Sequence, residues 1–254
     1  MPFTPGHVAA ILPFARTPLV PAALVVGSMA PDLFYYVPTD VSRELSHSLP
    51  GLVTVDLALG LVVFALWELV FRAPALDALP RPVRSRLGNT TRRRLYRRFA
   101  ALIVVSVLLG SLSHLVWDSF THVGWLSDAV PLLGEEVGPM LVVKWLQHIS
   151  SAVGAIVLLA WAWQWYTTTA ERGPAPTRFT LATRAIAWAM VVAVGLAVSL
   201  AIWVGGILDG IGALSPALIF DTVTVGIGAA GLAAFVVSVV WLARPRVVHP
   251  AQKH

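Results

Sequence analysis

The chain has 254 residues, 57% hydrophobic and 12% charged, where ordinary globular chains carry about 25% charged residues. A mean hydropathy of +0.77 excludes a water-soluble domain, and the absence of cysteine excludes disulfides, thiolate metal sites and cysteine nucleophiles. The net charge of +5 is not a nucleic-acid patch, because half of the 18 basic residues fall between Arg72 and Arg98, as in a cytoplasmic loop under the positive-inside rule.

In chain order, residues 1 to 38 are apolar but broken. Prolines at 2, 5, 13, 18 and 21 and the lack of a basic n-region do not suit a cleaved signal peptide. His7 to Ala15 and Val20 to Met29 each suit a short helix, interrupted by Arg16-Thr17-Pro18. Two such pieces reach only about half the hydrocarbon thickness each. A re-entrant or broken helical hairpin would return Asp32 to the level of His7; a single kinked span would put them on opposite faces. A polar stretch at 39 to 50 contains His47.

Leu52 to Phe71 is the first clear span, with Asp56 near its start and Glu68 four residues before Arg72, a natural i,i+4 pair. The arginine-rich loop follows. Phe99 to Thr121 is the second span, and a Gly/Pro-rich, mildly acidic loop leads to the third, Trp145 to Tyr166, with His148 in its first turn. Two further spans are expected at about 185 to 207 and 217 to 242, separated by a Gly-rich turn holding Asp209; GIGAAG at 226 to 231 suits close helix packing. The expected fold is therefore all-α: one membrane-embedded domain over 1–254, a polytopic bundle of about five transmembrane helices plus the N-terminal hairpin. Within it, 1–165 would form the site core, and 166–254 two additional helices and a cytoplasmic tail.

The second span ends in GSLSHLVWDSFTHVG, where His114, Asp118 and His122 stand at i, i+4 and i+8. Four-residue steps on a helix turn the side chain by only about 40°, so the three share one narrow stripe. Imidazole, carboxylate, imidazole suits a divalent metal, zinc above all, and the two oxygens of Asp118 would allow a bridge between ions. The plain alternative, polar residues wetted at a helix end, is weakened because ionisable residues in a span are costly and usually functional.

Basic loops alternate along the chain, so the arginine loop (72–98) is placed in the cytoplasm and the opposite ends outside, in the cell membrane. On that topology His47, Asp56, His114, Asp118, His122 and His148 converge near the outer surface, joined by His7 and Asp32 if the hairpin forms. Asp56 reads equally as a ligand, as a carboxylate holding a histidine, or as a helix N-terminal charge. His148 is either a ligand or an interfacial histidine. Asp209 and Asp221 lack histidine neighbours and read as structural.

The segments MPFTPGH, GSMAPD, SHS, GSLSHLVWDSFTHVG and LQHISS together resemble a family of bacterial membrane proteins of unknown function. That family is similar to the membrane-bound metal-dependent hydrolases. The resemblance covers residues 1 to about 160, the last two spans carrying no motif, and implies a metal site at His7, Asp32, His47, His114, Asp118 and His122. The expected function is a metal-dependent hydrolase holding one to three ions. It would act on a lipid headgroup or another membrane-associated phosphoester, with Asp32 or Asp56 ligating or serving as general base. The alternative is a non-enzymatic metal-binding membrane protein for sensing, transport or envelope maintenance. Its partner would be membrane lipid or a lipid-linked substrate, not nucleic acid.

Overall fold

The computed structural model describes residues 4–37, 39–87, 97–172 and 180–244. Part of the arginine loop (88–96) and the basic C-terminal tail lie outside the described residues. Helices dominate the described residues, which hold one two-stranded hairpin, Glu136–Val137 against Met140–Leu141. An N-terminal 3-10 helix, Thr4–Arg16, is followed by α1 (Pro21–Leu33). Among the described residues, five helices are long and apolar enough to cross a membrane: α2 (Leu49–Ala78), α3 (Arg97–Thr121, apolar from Phe99), α4 (Val142–Thr168), α5 (Leu181–Leu208) and α6 (Pro216–Ala243). The first span therefore does not end at Phe71; it continues as helix through Arg72 to Ala78.

The chain divides into two compact units, Met1–Phe64 with Arg93–Thr168, and Ala65–Arg92 with Thr169–His254. In the first, the N-terminal segment folds back as a hairpin. Its turn is closed at Thr17, whose amide and hydroxyl both donate to the Phe14 carbonyl at 3.0 and 2.7 Å. The single kinked span is thereby replaced by two legs that bring His7 and Asp32 to the same cluster of side chains.

Glycine governs how the legs pack. A Cβ at Gly27 would overlap the Val107 carbonyl, and one at Gly110 the Leu24 carbonyl, so α1 and α3 touch backbone to backbone. A Cβ at Gly154 would lie 2.9 Å from the Gly6 carbonyl oxygen, which seats the 3-10 helix on α4 one residue before His7. Ala23, Phe64, Ile103 and Val107 form the apolar core beside these contacts.

Proline supplies a further tie. Pro31 has no N–H for the Gly27 carbonyl one helical turn back. The Ser111 hydroxyl donates to that carbonyl instead, at 3.1 Å, satisfying a buried acceptor that would otherwise be costly. At the start of α2, Ser48 caps the helix by accepting from the Gly51 amide at 3.0 Å, and Pro50 sits in the first turn where its missing N–H costs nothing. The next residues, Leu52–Asp56, wind as π-helix, a distortion that often marks functional positions.

In the second unit α5 and α6 pack through small residues. Gly195 faces Gly226 and Ala230, and the Ser199 hydroxyl donates to the Thr222 carbonyl at 3.0 Å. The close packing expected of GIGAAG is thus present at Gly226 and Ala230. The turn after α5 needs Gly210, whose φ of +85 lies in the left-handed region. Arg72 pairs with Glu68 at 3.2 Å as the i,i+4 spacing implied, and the Trp241 indole donates to Asp77 at 2.7 Å.

Candidate metal centre

Three segments of the first unit deliver donors to one carboxylate, Asp118 of α3. His7 Nε2 from the 3-10 helix is 3.5 Å from Asp118 Oδ1. His47 Nε2, from the turn after the short helix Arg43–Ser46, is 3.4 Å from Asp118 Oδ2. On α3 itself, His114 Nε2 is 3.6 Å from Oδ2 and His122 Nδ1 is 3.3 Å from Oδ1. Asp32, at the end of α1, reaches His47 Nε2 at 3.4 Å and His114 Nε2 at 3.7 Å. The stripe at 114, 118 and 122 thus faces the interior of its unit, with His47 in reach.

Backbone carbonyls aim two of the rings. His114 Nδ1 lies 2.9 Å from the Ser28 carbonyl oxygen; a carbonyl only accepts, so the proton sits on Nδ1 and the Nε2 lone pair faces the carboxylates. The close approach of α1 and α3 at Gly27 and Gly110 is what brings Ser28 within reach of His114. His47 repeats the device locally, with Nδ1 3.2 Å from the Arg43 carbonyl oxygen one turn earlier. His7 stacks on His114 at 4.1 Å and meets the edge of Trp117 at 5.6 Å.

His122 differs. The Gln147 side-chain oxygen accepts from Lys144 at 3.1 Å, so its amide nitrogen faces His122 Nε2, at 2.6 Å, and donates to it. The proton is then on Nδ1, which is 3.1 Å from the Thr121 hydroxyl and beside Asp118. Both ring nitrogens are engaged. The Lys144–Gln147 pair, carried by α4, was not singled out from sequence; the LQH motif held the signal, but on the residue before the histidine.

His114 is fully buried, and His7, Asp32 and Asp118 are nearly so. His7 Nδ1, His47 Nε2, His114 Nε2 and Asp118 Oδ1 are all buried without a hydrogen-bond partner. Such orphaned groups are costly unless something else satisfies them. Two donors bound about 2.1 Å from one tetrahedral ion stand about 3.4 Å apart, close to the 3.4–3.7 Å that separate His47 Nε2 and His114 Nε2 from the Asp32 and Asp118 carboxylates. Two groups therefore fit a metal ion: His7, His114 and Asp118, and Asp32, His47 and His114. Burial and the neighbouring His114 push His7 down to about 4. Burial also opposes charging of His47, but the Asp118 and Asp32 carboxylates outweigh it and raise that imidazole to about 9.

Asp56 is fully buried, with neither oxygen hydrogen-bonded. It interacts electrostatically with His47 and His114 but belongs to neither donor group. His148 is exposed on α4 and joins neither group. Adjacent helical residues point about 100° apart, so the inward turn of Gln147 carries His148 away. Arg43, which sequence reasoning passed over, places its guanidinium 3.4 Å from Asp118 Oδ2.

Comparison with known proteins gives one family match. The chain belongs to the family described as a domain of unknown function (DUF4184), which matches residues 1–240. No curated protein and no solved structure matches it.

Proposed function

We propose that this member of the DUF4184 family is a membrane-bound metal-dependent hydrolase. Its substrate would be a lipid headgroup or another membrane-associated phosphoester at the outer membrane surface. The observation that carries the reading is the pair of buried, unpartnered Nε2 atoms of His47 and His114 converging on Asp118, with His7 Nε2 on the other oxygen of the same carboxylate. The resemblance of the histidine, PD, HS and SHxxxD segments to the membrane-bound metal-dependent hydrolases points the same way.

Asp32, His47, His114 and Asp118 are assigned as the principal donor set for a divalent ion, with zinc the best match to two imidazoles and two carboxylates. His114 has one lone pair to give. A second ion would therefore rest on His7 and on Asp118 Oδ1, the other oxygen of a bridging carboxylate. His122, with both nitrogens engaged, is reassigned from ligand to the residue that positions Asp118, through Gln147 and Lys144. His148 is assigned no part. Of the two carboxylates expected as general base, Asp32 enters the donor set, and Asp56 keeps acceptor capacity at both oxygens for a proton. A bound divalent ion supplies Lewis acidity and lowers the pKa of water toward neutrality.

The arginine-rich segment is assigned to the cytoplasm and the centre to the opposite face. The test is metal analysis of detergent-purified protein, followed by turnover of bis(p-nitrophenyl) phosphate with and without chelator. Bound zinc and chelator-sensitive, zinc-restored turnover are expected. Protein that binds no divalent metal would overturn the metal reading. Metal without turnover of this or of phospholipid substrates would leave the non-enzymatic alternative.

A further inference from the structure

Beside the donor cluster is a pocket of about 100 Å³, bordered by Arg43, His47, Asp118, Ser119 and His122 and by the start of the loop after α3. It is small, since pockets for drug-sized ligands begin at about 300 Å³. Among its lining residues Arg43 is the one permanent cation and Asp118 the one carboxylate.

We infer that this pocket is the subsite for the anionic group of the substrate, a phosphate monoester or diester, and that Arg43 is its anchoring residue. The inference rests on the metal-centre reading above and names the residue that recognises the substrate. Arg43 opens the short helix that ends one residue before His47, and its carbonyl lies 3.2 Å from that ring's Nδ1, so one turn of chain carries a donor and the guanidinium side by side. Tyr35, in the 3-10 turn just after α1, interacts with the Arg43 side chain.

Charge decides what the pocket would admit. Asp32 and Asp118 contribute two negative charges, which a divalent ion on neutral imidazoles balances. The guanidinium then loses its claim on Asp118 Oδ2 and leaves a positive charge on the pocket lining, to which Asp56 does not belong. Its side chain is 41% exposed, which leaves the guanidinium room to turn toward an incoming group. A planar guanidinium matches phosphate oxygens with paired N–H donors, which a lysine in its place would not do. Cations and neutral polar groups meet no such complement there.

The probes are inorganic phosphate and dihexanoyl phosphatidic acid, titrated calorimetrically into zinc-loaded protein in neutral detergent, with zinc content measured on every sample. Both probes present the same anionic group, and the two arms separate its sources: binding of the lipid alone assigns a headgroup, and binding of both assigns the phosphate group itself. Arg43→Gln is expected to keep its zinc and to weaken binding at least about tenfold, as for loss of a charge-assisted hydrogen bond. Arg43→Lys should recover part of the loss. Arg43→Gln with wild-type affinity for both probes would overturn the inference, as would zinc-loaded wild-type protein that binds neither. Loss of zinc together with binding in Arg43→Gln would make Arg43 a structural partner of Asp118 and also overturn it. A wild-type protein without zinc would instead fail at the metal reading itself, and this inference with it.

Discussion

Asp118→Asn is the most informative single change to the proposed centre. The substitution keeps side-chain volume and removes one negative charge at the position where His7, His47, His114, His122 and Arg43 all approach within 3.3–3.6 Å. If Asp118 is a shared donor, both oxygen positions are affected together: one amide nitrogen now presents N–H groups to a side that needs an acceptor. Substitutions that only support a ligand cost about 10–100-fold in metal affinity. Loss of a charged donor should therefore cost at least about 100-fold, or about 2.8 kcal/mol. The assay is zinc content by mass spectrometry together with a chelator-competition titration on purified protein, with circular dichroism to check that the helices persist. His148→Ala, on the exposed face of α4, is the matched control and should bind as wild type. An Asp118→Asn protein that folds and holds zinc with unchanged stoichiometry and affinity would refute the assignment of Asp118 as the hub.

Three further outcomes are expected. First, His47 is raised to about 9 by Asp118 and Asp32, so a metal must displace its proton below that pH. Apparent zinc affinity should then climb about tenfold per unit between roughly pH 6 and 8, whereas His7, lowered to about 4, adds no slope there; an affinity flat across that range argues against His47 as a donor. Second, Gly110→Ala should push α3 off the Leu24 carbonyl and stretch the His114–Ser28 contact. A loss of about 1–3 kcal/mol should appear as a lower thermal midpoint together with weaker zinc binding; unchanged values for both would mean the helices relax without disturbing the centre. Third, in intact cells a cysteine at the exposed Glu44 should react with an impermeant thiol reagent, and one at the exposed Arg81 should not. The native chain has no cysteine, so the background is clean, and the opposite pattern would place the centre in the cytoplasm.

The amino-acid sequence by itself determined what depends on local period and composition. Hydropathy located the spans because each is a continuous apolar run, and the four-residue spacing put His114, Asp118 and His122 on one face because helix geometry does not depend on surroundings. The Glu68–Arg72 pair was legible for the same reason. Tertiary structure decided everything that depends on which segment lies opposite. Whether His7 joins Asp32 turned on the N-terminal piece folding back, a choice left open by prolines that only say where helices break. The tautomer of His114 is set by a carbonyl 86 residues away, exposed to it because Gly27 and Gly110 let two backbones meet. Most telling is α4, where Gln147 and His148 are neighbours in sequence. The histidine carried the chemical signal, yet the rotation of the helix turns the glutamine onto His122 and leaves His148 outside. Residue type is local information, but which face of a helix is inward is settled by packing across the whole unit.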